Sequence, residues 1–511
     1  MAYFLGIDAG TQSMKGLLID PAKSWCSEPF SVHFGRELGS YNSPDGFLPD
    51  DDPAIRHADP CMWLDALDML LAKMRDAGLP MAQVEGISGS AQQHGTVYLN
   101  QRAGHILAAL SPTRNLAEQL RPALSRPSAP IWMDASTGAE CRELRRQYGE
   151  ELRRITGSNA AERFSGPQIM KFARQEPERY RETASIALVS SFLASVLAGK
   201  IMPMDRGDAA GMNLLDLRTL RWHEGIVEFT APGLREKLPP CVPSDTVGGI
   251  LSAYFARYGL RPGIPINVFS GDNPCSLIGC GGAAPGTAII SLGTSDTFFG
   301  SVADLSRTER MRFGHIFGNP AGGFMTLLCF ANGSLTREAV RKKFAMSRFA
   351  FEAAAAAATP GKYPLLPFLF PESTPAVAEP GIRCDFDPAA LPSGEFIRAV
   401  LEAQLLTIKY HAGITEAPAS VQLTGGASAS PILRRLAADI FQSPVVIGGH
   451  AEAAALGAAM RGANSCGSWQ FDRLTEKFCT ATEVIRPDRS MRPIYDRALA
   501  EFTVLLHRHG F

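Results

Sequence analysis

A short turn pattern occurs twice in this chain, and it limits the possible folds more than any other feature. The first copy follows the apolar run YFLGID, turns at Gly10-Thr11 and continues as MKGLLID. The second follows AIISL, turns at Gly293-Thr294 and continues as DTFFGSV. Apolar runs on both sides of a glycine turn predict a β-hairpin. Since each hairpin can open a separate half of the chain, we expect two related domains facing one cleft.

The chain is long enough for this arrangement, because 511 residues can form two large domains. Helical patterns, for example over residues 60–75 and 139–154, alternate with strand patterns and indicate the α/β class. The Pro- and Gly-rich segment PPCVPSDTVGG, residues 239–249, is typical of a linker. We therefore predict an N-terminal domain over residues 1–245 and a C-terminal domain over residues 246–511.

Charge and cysteine usage exclude several kinds of protein. The 50 Lys and Arg residues are balanced by 51 Asp and Glu residues, so no basic excess points to nucleic acid or to an anionic membrane. The ten cysteines are dispersed and form no CxxC pair, which indicates reduced thiols. The first apolar run contains Asp8 and lacks a basic segment, unlike a signal peptide. We expect a cytoplasmic protein, monomeric or homodimeric, whose partners are small molecules.

Both glycine turns carry groups that suit phosphate. Glycine lets backbone N–H groups approach an anion, and Thr and Ser hydroxyls add donors. Asp8 would repel phosphate unless a cation intervened, so it predicts a Mg²⁺ ion held near this carboxylate through water. Each turn alone also fits an ordinary hairpin, whereas two together favour phosphate. The candidate phosphate donors are Thr11, Ser13, Lys15, Gly293, Thr294 and Ser295.

A third glycine turn follows the strand pattern VQLT. Gly425 and Gly426 would allow a flat ligand such as adenine to lie against the backbone, although a plain strand-to-helix turn is the alternative. Ser430 and Pro431 fit the N-cap and the first residue of the next helix. The Ala-rich stretch over residues 451–463 predicts a further helix, packed behind this turn.

Polar residues in apolar surroundings suggest a sugar site. Gln93 and His94 lie between two buried runs and could bind the hydroxyls of a polyol. Trp132 and Asp134 offer an apolar platform and an acceptor. Asp272 follows the strand pattern INVF, where a carboxylate is well placed as a general base. For each of these residues, a structural polar cap is the alternative.

The set of motifs resembles the FGGY carbohydrate kinases, which share the actin-like, ribonuclease-H-like ATPase fold. The strings SGSAQQHGTVY, ERFSGPQI, SGDNP, SLGTSDTFF, GHIF and NGSL occur in order over nearly the whole chain. The resemblance implies a kinase that uses ATP and Mg²⁺ and binds its substrates in a cleft between two α/β domains. The strings are most similar to an animal-type branch, which implies transfer of the γ-phosphate to the 5-hydroxyl of D-xylulose, giving D-xylulose 5-phosphate and ADP.

The resemblance also implies roles for single residues. Asp272 corresponds to the catalytic base, and His94, Arg163 and Asn273 correspond to sugar-binding positions. Asp8 and the hydroxyl residues of both Gly-Thr turns correspond to the Mg²⁺ and phosphate positions. Gly425, Gly426 and Ala427 correspond to the adenosine site. The chain departs from the animal-type pattern at two nucleotide positions, with Ser430 in place of Asn and Phe349 in place of Trp.

Other functions remain open at this point. A kinase of another ketose or polyol, such as ribulose, ribitol or glycerol, would carry the same motifs. A non-catalytic sugar or nucleotide sensor would not need Asp8, Asp272 and both turns together. An actin-like filament or chaperone ATPase would need neither the Gln-Gln-His nor the Gly-Asp-Asn sequence.

Overall fold

The chain divides into two compact units in a computed structural model that describes residues 2–309, 311–448 and 452–511. The first unit comprises Met1–Ala283, Ile316–Gly323 and His450–Cys479, and the second comprises Ala284–His315, Phe324–Gly449 and Thr480–Phe511. The expected boundary at residues 245 and 246 is therefore corrected to residues 283 and 284. The reason is that the strands after residue 246 add to the sheet of the first unit.

The principal strands are β1 Tyr3–Ala9, β2 Ser13–Asp20, β3 Phe30–His33, β4 Val84–Ala91, β5 Thr96–Asn100, β6 Thr183–Leu188, β7 Val247–Ile250, β8 Pro265–Asn267, β9 Ser270–Gly271, β10 Thr287–Leu292, β11 Asp296–Val302, β12 Phe324–Phe330, β13 Ser420–Thr424, β14 Val445–Gly448 and β15 Ala481–Ile485. The longer helices are α1 Pro60–Asp76, α2 Gly138–Tyr148, α3 Ser165–Gln175, α4 Val189–Ala198, α5 Asp272–Gly279, α6 Ser334–Lys343, α7 Arg348–Ala357, α8 Ser393–His411, α9 Pro431–Phe441, α10 Ala453–Gly467, α11 Phe471–Phe478 and α12 Arg492–Arg508.

Shorter strands are Trp25–Cys26, His57–Ala58, Ala129–Pro130, Met204–Asp205, Leu215–Asp216, Arg221–Trp222, Cys241–Val242, His315–Gly318, Leu366–Phe368 and Gly381–Arg383. Shorter α-helices are Phe34–Glu37, Ala103–Ala108, Leu116–Leu120, Glu150–Thr156, Pro177–Glu182, Arg206–Ala209, Glu224–Thr230 and Leu234–Lys237. The 3₁₀-helices are Gly39–Tyr41, Met81–Gln83, Arg121–Ala123, Ala210–Met212, Ala253–Tyr258, Leu305–Thr308, Pro388–Ala390, Gly426–Ala429 and Arg489–Met491.

The two main sheets repeat one arrangement. In the first unit β1 pairs antiparallel with β2 and parallel with β4, and the order is β7-β8-β4-β1-β2. In the second unit β10 pairs antiparallel with β11 and parallel with β13, and the order is β12-β11-β10-β13-β14-β15. Both predicted hairpins are therefore confirmed, and the shared topology supports the expected relation between the two halves.

Helices cover both faces of the first sheet. Gly16 lies opposite Ile7 in the β1–β2 register, so Gly6 and Gly16 face opposite sides. A Cβ atom on Gly16 would meet Leu70 of α1 at 3.1 Å, and one on Gly6 would lie 2.1 Å from the carbonyl oxygen of Ala455 in α10. The α/β class predicted from the alternating patterns is confirmed.

The Ala-rich helix lies in a different place from the one expected. It spans Ala453–Gly467 within the first unit, where it packs against β1, β4 and α5, whereas the turn at Gly425 belongs to the second unit. Its small residues permit a close crossing, since a Cβ atom on Gly457 would lie 1.9 Å from the carbonyl oxygen of Cys275. Ala451, the expected first residue, lies outside the described residues.

In the described parts of the chain, we find no helix long and apolar enough to cross a membrane. All ten cysteines are free thiols, as their spacing predicted.

Candidate active site

Three neighbouring strands of the first unit end at the same edge of the sheet. β1 carries Asp8, β4 leads into Gln92-Gln93-His94, and β9 leads into Asp272. Ser90 on β4 is paired with Asp8 on one side and with Ser270 on the other. Because these pairings are parallel, the carboxyl ends of the strands meet, and open α/β sheets bind ligands at such edges.

Asp272 is the first residue of α5 and is half-buried. Its Oδ1 accepts hydrogen bonds from the backbone N–H of Asn273 at 2.9 Å and from Asn273 Nδ2 at 3.2 Å. Burial and the negative charge of Asp8 raise the pKa of Asp272 to about 7, against the opposing effect of hydrogen bonds from backbone N–H groups. A carboxyl group with such a pKa can accept a proton efficiently near neutral pH.

His94 is held in a single tautomer. Its Nδ1 donates a hydrogen bond to the carbonyl oxygen of Gly211 at 2.8 Å, which leaves Nε2 as an acceptor. Burial, with the positive charge of Arg163, lowers the pKa of His94 to about 3, so the ring is neutral at physiological pH. The ring lies 4.3 Å from that of Phe164, and a Cβ atom on Gly211 would come within 2.6 Å of Nδ1.

Gln93 links the end of β4 to the start of α5. Its Oε1 accepts a hydrogen bond from Asn273 Nδ2 at 2.8 Å. The structure therefore brings five of the expected sugar-site residues to one edge of the first unit, namely Gln93, His94, Arg163, Asp272 and Asn273.

Trp132 lies beside the first Gly-Thr turn. Its indole Nε1 donates a hydrogen bond to Thr11 Oγ1 at 2.7 Å, and its side chain is 44% exposed. This contact ties the expected sugar platform to a residue expected to bind phosphate.

Asp134 is buried and surrounded by donors. Its oxygens accept hydrogen bonds from the backbone N–H of Arg56, from the backbone and hydroxyl of Ser136, and from Gln168 Nε2. Burial alone would raise its pKa, but hydrogen bonds from His57, Ser136 and Arg56 hold the pKa of Asp134 below its usual value. This occupancy argues against the expected role of Asp134 as a sugar acceptor and indicates that it orders the loop that carries Trp132.

The first Gly-Thr turn contains a charged cluster. Asp8 Oδ1 accepts a hydrogen bond from Ser90 Oγ at 2.7 Å, and burial raises the pKa of Asp8. Lys15 lies opposite Asp8 in the hairpin and forms an ion pair with Glu452, with Nζ and Oε2 2.5 Å apart. Glu452 was missed by the sequence analysis, because it is 437 residues from Lys15 and belongs to no recognisable motif.

The second Gly-Thr turn is held within the second unit. Thr294 and Ser295 are exposed, and the carbonyl oxygen of Gly293 accepts a hydrogen bond from the backbone N–H of Ser334 at 3.0 Å. Directly after the turn, the buried Asp296 carboxylate accepts two hydrogen bonds from Arg337, at 2.7 and 2.8 Å. Of this support, only the string NGSL, which contains Ser334, is recognisable from the sequence.

The third glycine turn has the geometry that the sequence suggested. Gly425 has φ +83°, and a Cβ atom there would lie 2.6 Å from the carbonyl oxygen of Leu292, whereas Gly426 faces open space. Ser430 caps α9 by accepting a hydrogen bond from the backbone N–H of Leu433 at 3.4 Å, and Pro431 is the first helical residue. Ala427 lies between them in the short 3₁₀-helix. On α7 of the same unit, the Phe349 side chain is 85% exposed.

Comparison with known proteins identifies the class of enzyme. Residues 3–279 match the N-terminal domain of the FGGY family of carbohydrate kinases, and residues 288–466 match its C-terminal domain. The chain belongs to the FGGY family of carbohydrate kinases, which confirms the resemblance seen in the motifs and makes it an ATP-dependent carbohydrate kinase.

Relatives within the family extend over most of the chain. It is 37% identical to xylulose kinase 2 of Arabidopsis thaliana over 90% of this chain and 87% of that protein. It is 38% identical to the xylulose kinase of Rattus norvegicus, covering 89% of this chain and 87% of the rat protein.

Solved structures confirm the expected two-domain fold. A structure described as a xyloylose kinase from Brucella ovis covers 99% of both chains with a TM-score of 0.79 at 22% identity. The xylulose kinase from Rhodospirillum rubrum covers 99% of this chain and 98% of its own, with a TM-score of 0.80 at 21% identity.

Proposed function

We propose that this kinase transfers the γ-phosphate of ATP to the 5-hydroxyl of D-xylulose. The observation that carries the proposal is the grouping of Asp272, whose pKa is about 7, with the neutral acceptor His94 and with Asn273. The names of the relatives at 37–38% identity support D-xylulose as the substrate.

In the proposed reaction Asp272 accepts the proton of the attacking hydroxyl. A primary hydroxyl is a poor nucleophile, so its proton must leave as the bond to phosphorus forms. Asn273 donates to the same carboxylate and orients it. His94 Nε2 accepts a hydrogen bond from a second sugar hydroxyl, and Arg163, whose charge lies close to that ring, donates to a third group of the sugar.

The nucleotide is assigned to residues of both units. Thr11 and Ser13 in the first hairpin, with Thr294 and Ser295 in the second, donate to the phosphates of ATP. Lys15 reaches a phosphate oxygen when it exchanges Glu452 for that anion. The adenosine lies on Gly425, Gly426 and Ala427, with Phe349 as a stacking surface and Ser430 at the helix N-terminus.

The residues around Asp8 fit a magnesium ion that is bound mainly by phosphate and water. Mg²⁺ in kinases commonly uses one or two carboxylates with substrate phosphates. Within the described ranges no three His, Cys, Asp or Glu side chains cluster as a closed metal site. Asp8 is half-buried with a raised pKa, so a cation close to it would favour its ionised form. When bound, the ion neutralises phosphate charge during transfer.

An ADP-release assay over a panel of sugars tests this function. D-xylulose, D-ribulose, ribitol, glycerol and gluconate are compared, and ³¹P NMR identifies the phosphorylated product. We expect the highest kcat/KM with D-xylulose, a 5-phosphate product, and loss of turnover in excess chelator. A higher kcat/KM with another acceptor would show that this acceptor, and not D-xylulose, is the substrate. Binding of ADP without turnover of any acceptor would show that the protein is a sensor and not a kinase.

A further inference from the structure

Asp208 is a buried carboxyl group of the first unit to which the proposed reaction gives no role. It lies in the helix Arg206–Ala209, and it is 1% exposed. Its Oδ2 accepts a hydrogen bond from Ser190 Oγ at 2.5 Å. Its Oδ1 has no hydrogen-bond partner among the residues that the structure describes. Buried polar atoms are rarely left without a hydrogen bond, so a donor is expected near Asp208 Oδ1.

Among the described residues, the hydrogen bond to this carboxyl group comes from the neutral hydroxyl of Ser190. The buried guanidinium of Arg461 lies 3.8 Å from Oδ2 of a different carboxylate, Asp205. Burial and the negative charges of Asp205 and Asp272 raise the pKa of Asp208 well above its ordinary value. An asparagine at this position would have nearly the same shape as Asp208 and would keep an acceptor at the Oδ1 position.

The amide of Gln93 lies beside Asp208 and complements it. The Gln93 side chain lowers the pKa of Asp208, and a Cβ atom on Gly211, three residues after Asp208, would lie 3.6 Å from Gln93 Nε2, so the amide lies close to the carboxyl group. The Nε2 atom of Gln93 is a buried donor that lacks a partner in the described structure, as Asp208 Oδ1 is a buried acceptor that lacks one. The amide also lies against the backbone of Gly271, the residue before Asp272, because a Cβ atom on Gly271 would be 2.8 Å from Gln93 Nε2.

The orientation of this amide determines what Asn273 can bind. Gln93 Oε1 accepts from Asn273 Nδ2 at 2.8 Å, and the same Nδ2 lies 3.2 Å from Asp272 Oδ1. If the amide turned over, Nε2 would face Nδ2, and two donors would meet. An acceptor at the Nε2 end prevents this reversal.

We propose that Asp208 is a positioning residue of the sugar site, whose Oδ1 accepts a hydrogen bond from Gln93 Nε2, directly or through one water molecule, and so fixes the amide that holds Asn273 beside Asp272. Ser190 holds the other oxygen of the carboxyl group and sets its plane. This inference rests on the proposed roles of Asp272 and Asn273.

Variants of Asp208 in the full-length enzyme test the proposal through the two Michaelis constants. Asp208→Asn keeps the acceptor, so we expect kcat and both KM values to stay within about threefold of the parent. Asp208→Ala leaves a buried donor unpaired, which corresponds to an effect of about five- to 150-fold. We expect that effect in the KM for the sugar and in its dissociation constant by calorimetry, with the KM for ATP nearly unchanged.

Two further variants separate positioning from folding. Asp208→Leu fills the space without providing an acceptor, and it replaces the alanine variant if thermal melting shows that variant to be unstable. We expect the same raised KM for the sugar and the same nearly unchanged KM for ATP. In a Gln93→Met background, Asp208→Ala should have no further effect on the sugar KM, because the group through which it acts is gone. An unchanged sugar KM in both Ala and Leu variants, equal losses for both substrates, additive effects, or no rescue by Asn would overturn the proposal.

Asp272→Asn, assayed in parallel, distinguishes a failure of the proposed function from a failure of the proposed role of Asp208. If that variant retains normal kcat, the assignment of the base fails, whatever Asp208 does. If Asp272→Asn is inactive while Asp208→Ala behaves like the parent, only the role of Asp208 fails.

Discussion

Burial shifts the pKa values of His94 and Asp272 in opposite directions. Both groups resist charge in a poorly hydrated site, so the imidazole becomes less basic and the carboxyl group less acidic. His94 is consequently a neutral acceptor at physiological pH, whereas Asp272 changes charge close to pH 7. These are the states that a hydroxyl ligand and a general base require.

The pH dependence of the reaction follows from the pKa of Asp272. The base must be ionised, so kcat/KM for the sugar should rise with pH up to about pH 7 and then level off. Measured with MgATP well below saturation, the acid limb should fall about tenfold per pH unit. Because Asp8 raises the pKa of Asp272, the residual activity of Asp8→Asn should show this limb at lower pH. A flat profile between pH 5 and 8 would contradict the assignment.

Replacing His94 should weaken sugar binding more than nucleotide binding. His94 has φ +70°, a conformation that asparagine tolerates better than alanine, so His94→Asn is the cleaner variant. Losing one uncharged hydrogen bond costs about 0.5–1.5 kcal/mol, which is a two- to thirteenfold weaker affinity. Isothermal titration with D-xylulose and separately with ADP checks this, and an unchanged sugar affinity would remove His94 from the pocket.

At the scale of elements, the crossing of α5 and α10 sets the position of Asp272, the proposed base. Asp272 begins α5, and Gly457 of α10 lies against the backbone of the same helix. A Cβ atom at Gly457 would lie 1.9 Å from the carbonyl oxygen of Cys275 and 2.9 Å from the backbone nitrogen of Gly279. Backbone atoms cannot rotate away as a flexible side chain can, so α5 itself would have to move.

Gly457→Ala should therefore destabilise the first unit and reduce turnover. Overpacking of a core costs about 1–3 kcal/mol, and the displaced α5 carries Asp272 with it. Gly104→Ala is a matched control, because a Cβ atom there meets nothing within 4 Å. Urea unfolding and kcat of the two variants provide the comparison. Equal stability and activity of Gly457→Ala and its control would show that α5 does not depend on this contact.

The sequence predicted the elements with strong local signals and missed those that depend on distant contacts. Both hairpins, the cap at Ser430 and the helix at 60–75 follow from local turn and capping chemistry, and the structure has all of them. The helix expected over 139–154 is interrupted at Gly149, which has φ +53°. The pattern of apolar and charged residues does not signal this break, because the break depends on the backbone conformation of a single residue, Gly149.

The site shows the same division. Gln93, His94 and Asp272 could be found because they follow strands in polar, glycine-rich turns. Glu452 beside Lys15, Arg337 on Asp296 and Asp208 beside Gln93 could not be found, since each pair joins residues far apart in the chain. The linker prediction failed for a related reason. Residues 239–249 are rich in Pro and Gly, yet the strands β7 and β8 that accompany and follow them pair within the first sheet.

At the scale of the whole molecule, each unit carries one hairpin and a different share of the proposed site. The residues proposed to bind the sugar and the proposed base belong to the first unit, and those proposed to bind adenosine belong to the second. Transfer requires the 5-hydroxyl and the γ-phosphate to meet while water is excluded.

We therefore expect the two units to close when both substrates are bound. Small-angle scattering of the free enzyme and of the enzyme with D-xylulose and a non-hydrolysable ATP analogue should give a smaller radius of gyration for the complex. Sugar alone and nucleotide alone are the controls. A radius that is unchanged with both ligands at saturation would contradict closure.

The central claim is that Asp272 is the base of a sugar kinase, and the turnover of Asp272→Asn tests it most directly. Asparagine keeps the size of the side chain and its hydrogen bond from Asn273, but it cannot take up the hydroxyl proton. Since positioned general bases contribute about 10²–10⁴-fold to rates, kcat for D-xylulose should fall by at least a hundredfold. The dissociation constant for ADP should change little. A variant with near-normal kcat would contradict the claim and place the base elsewhere.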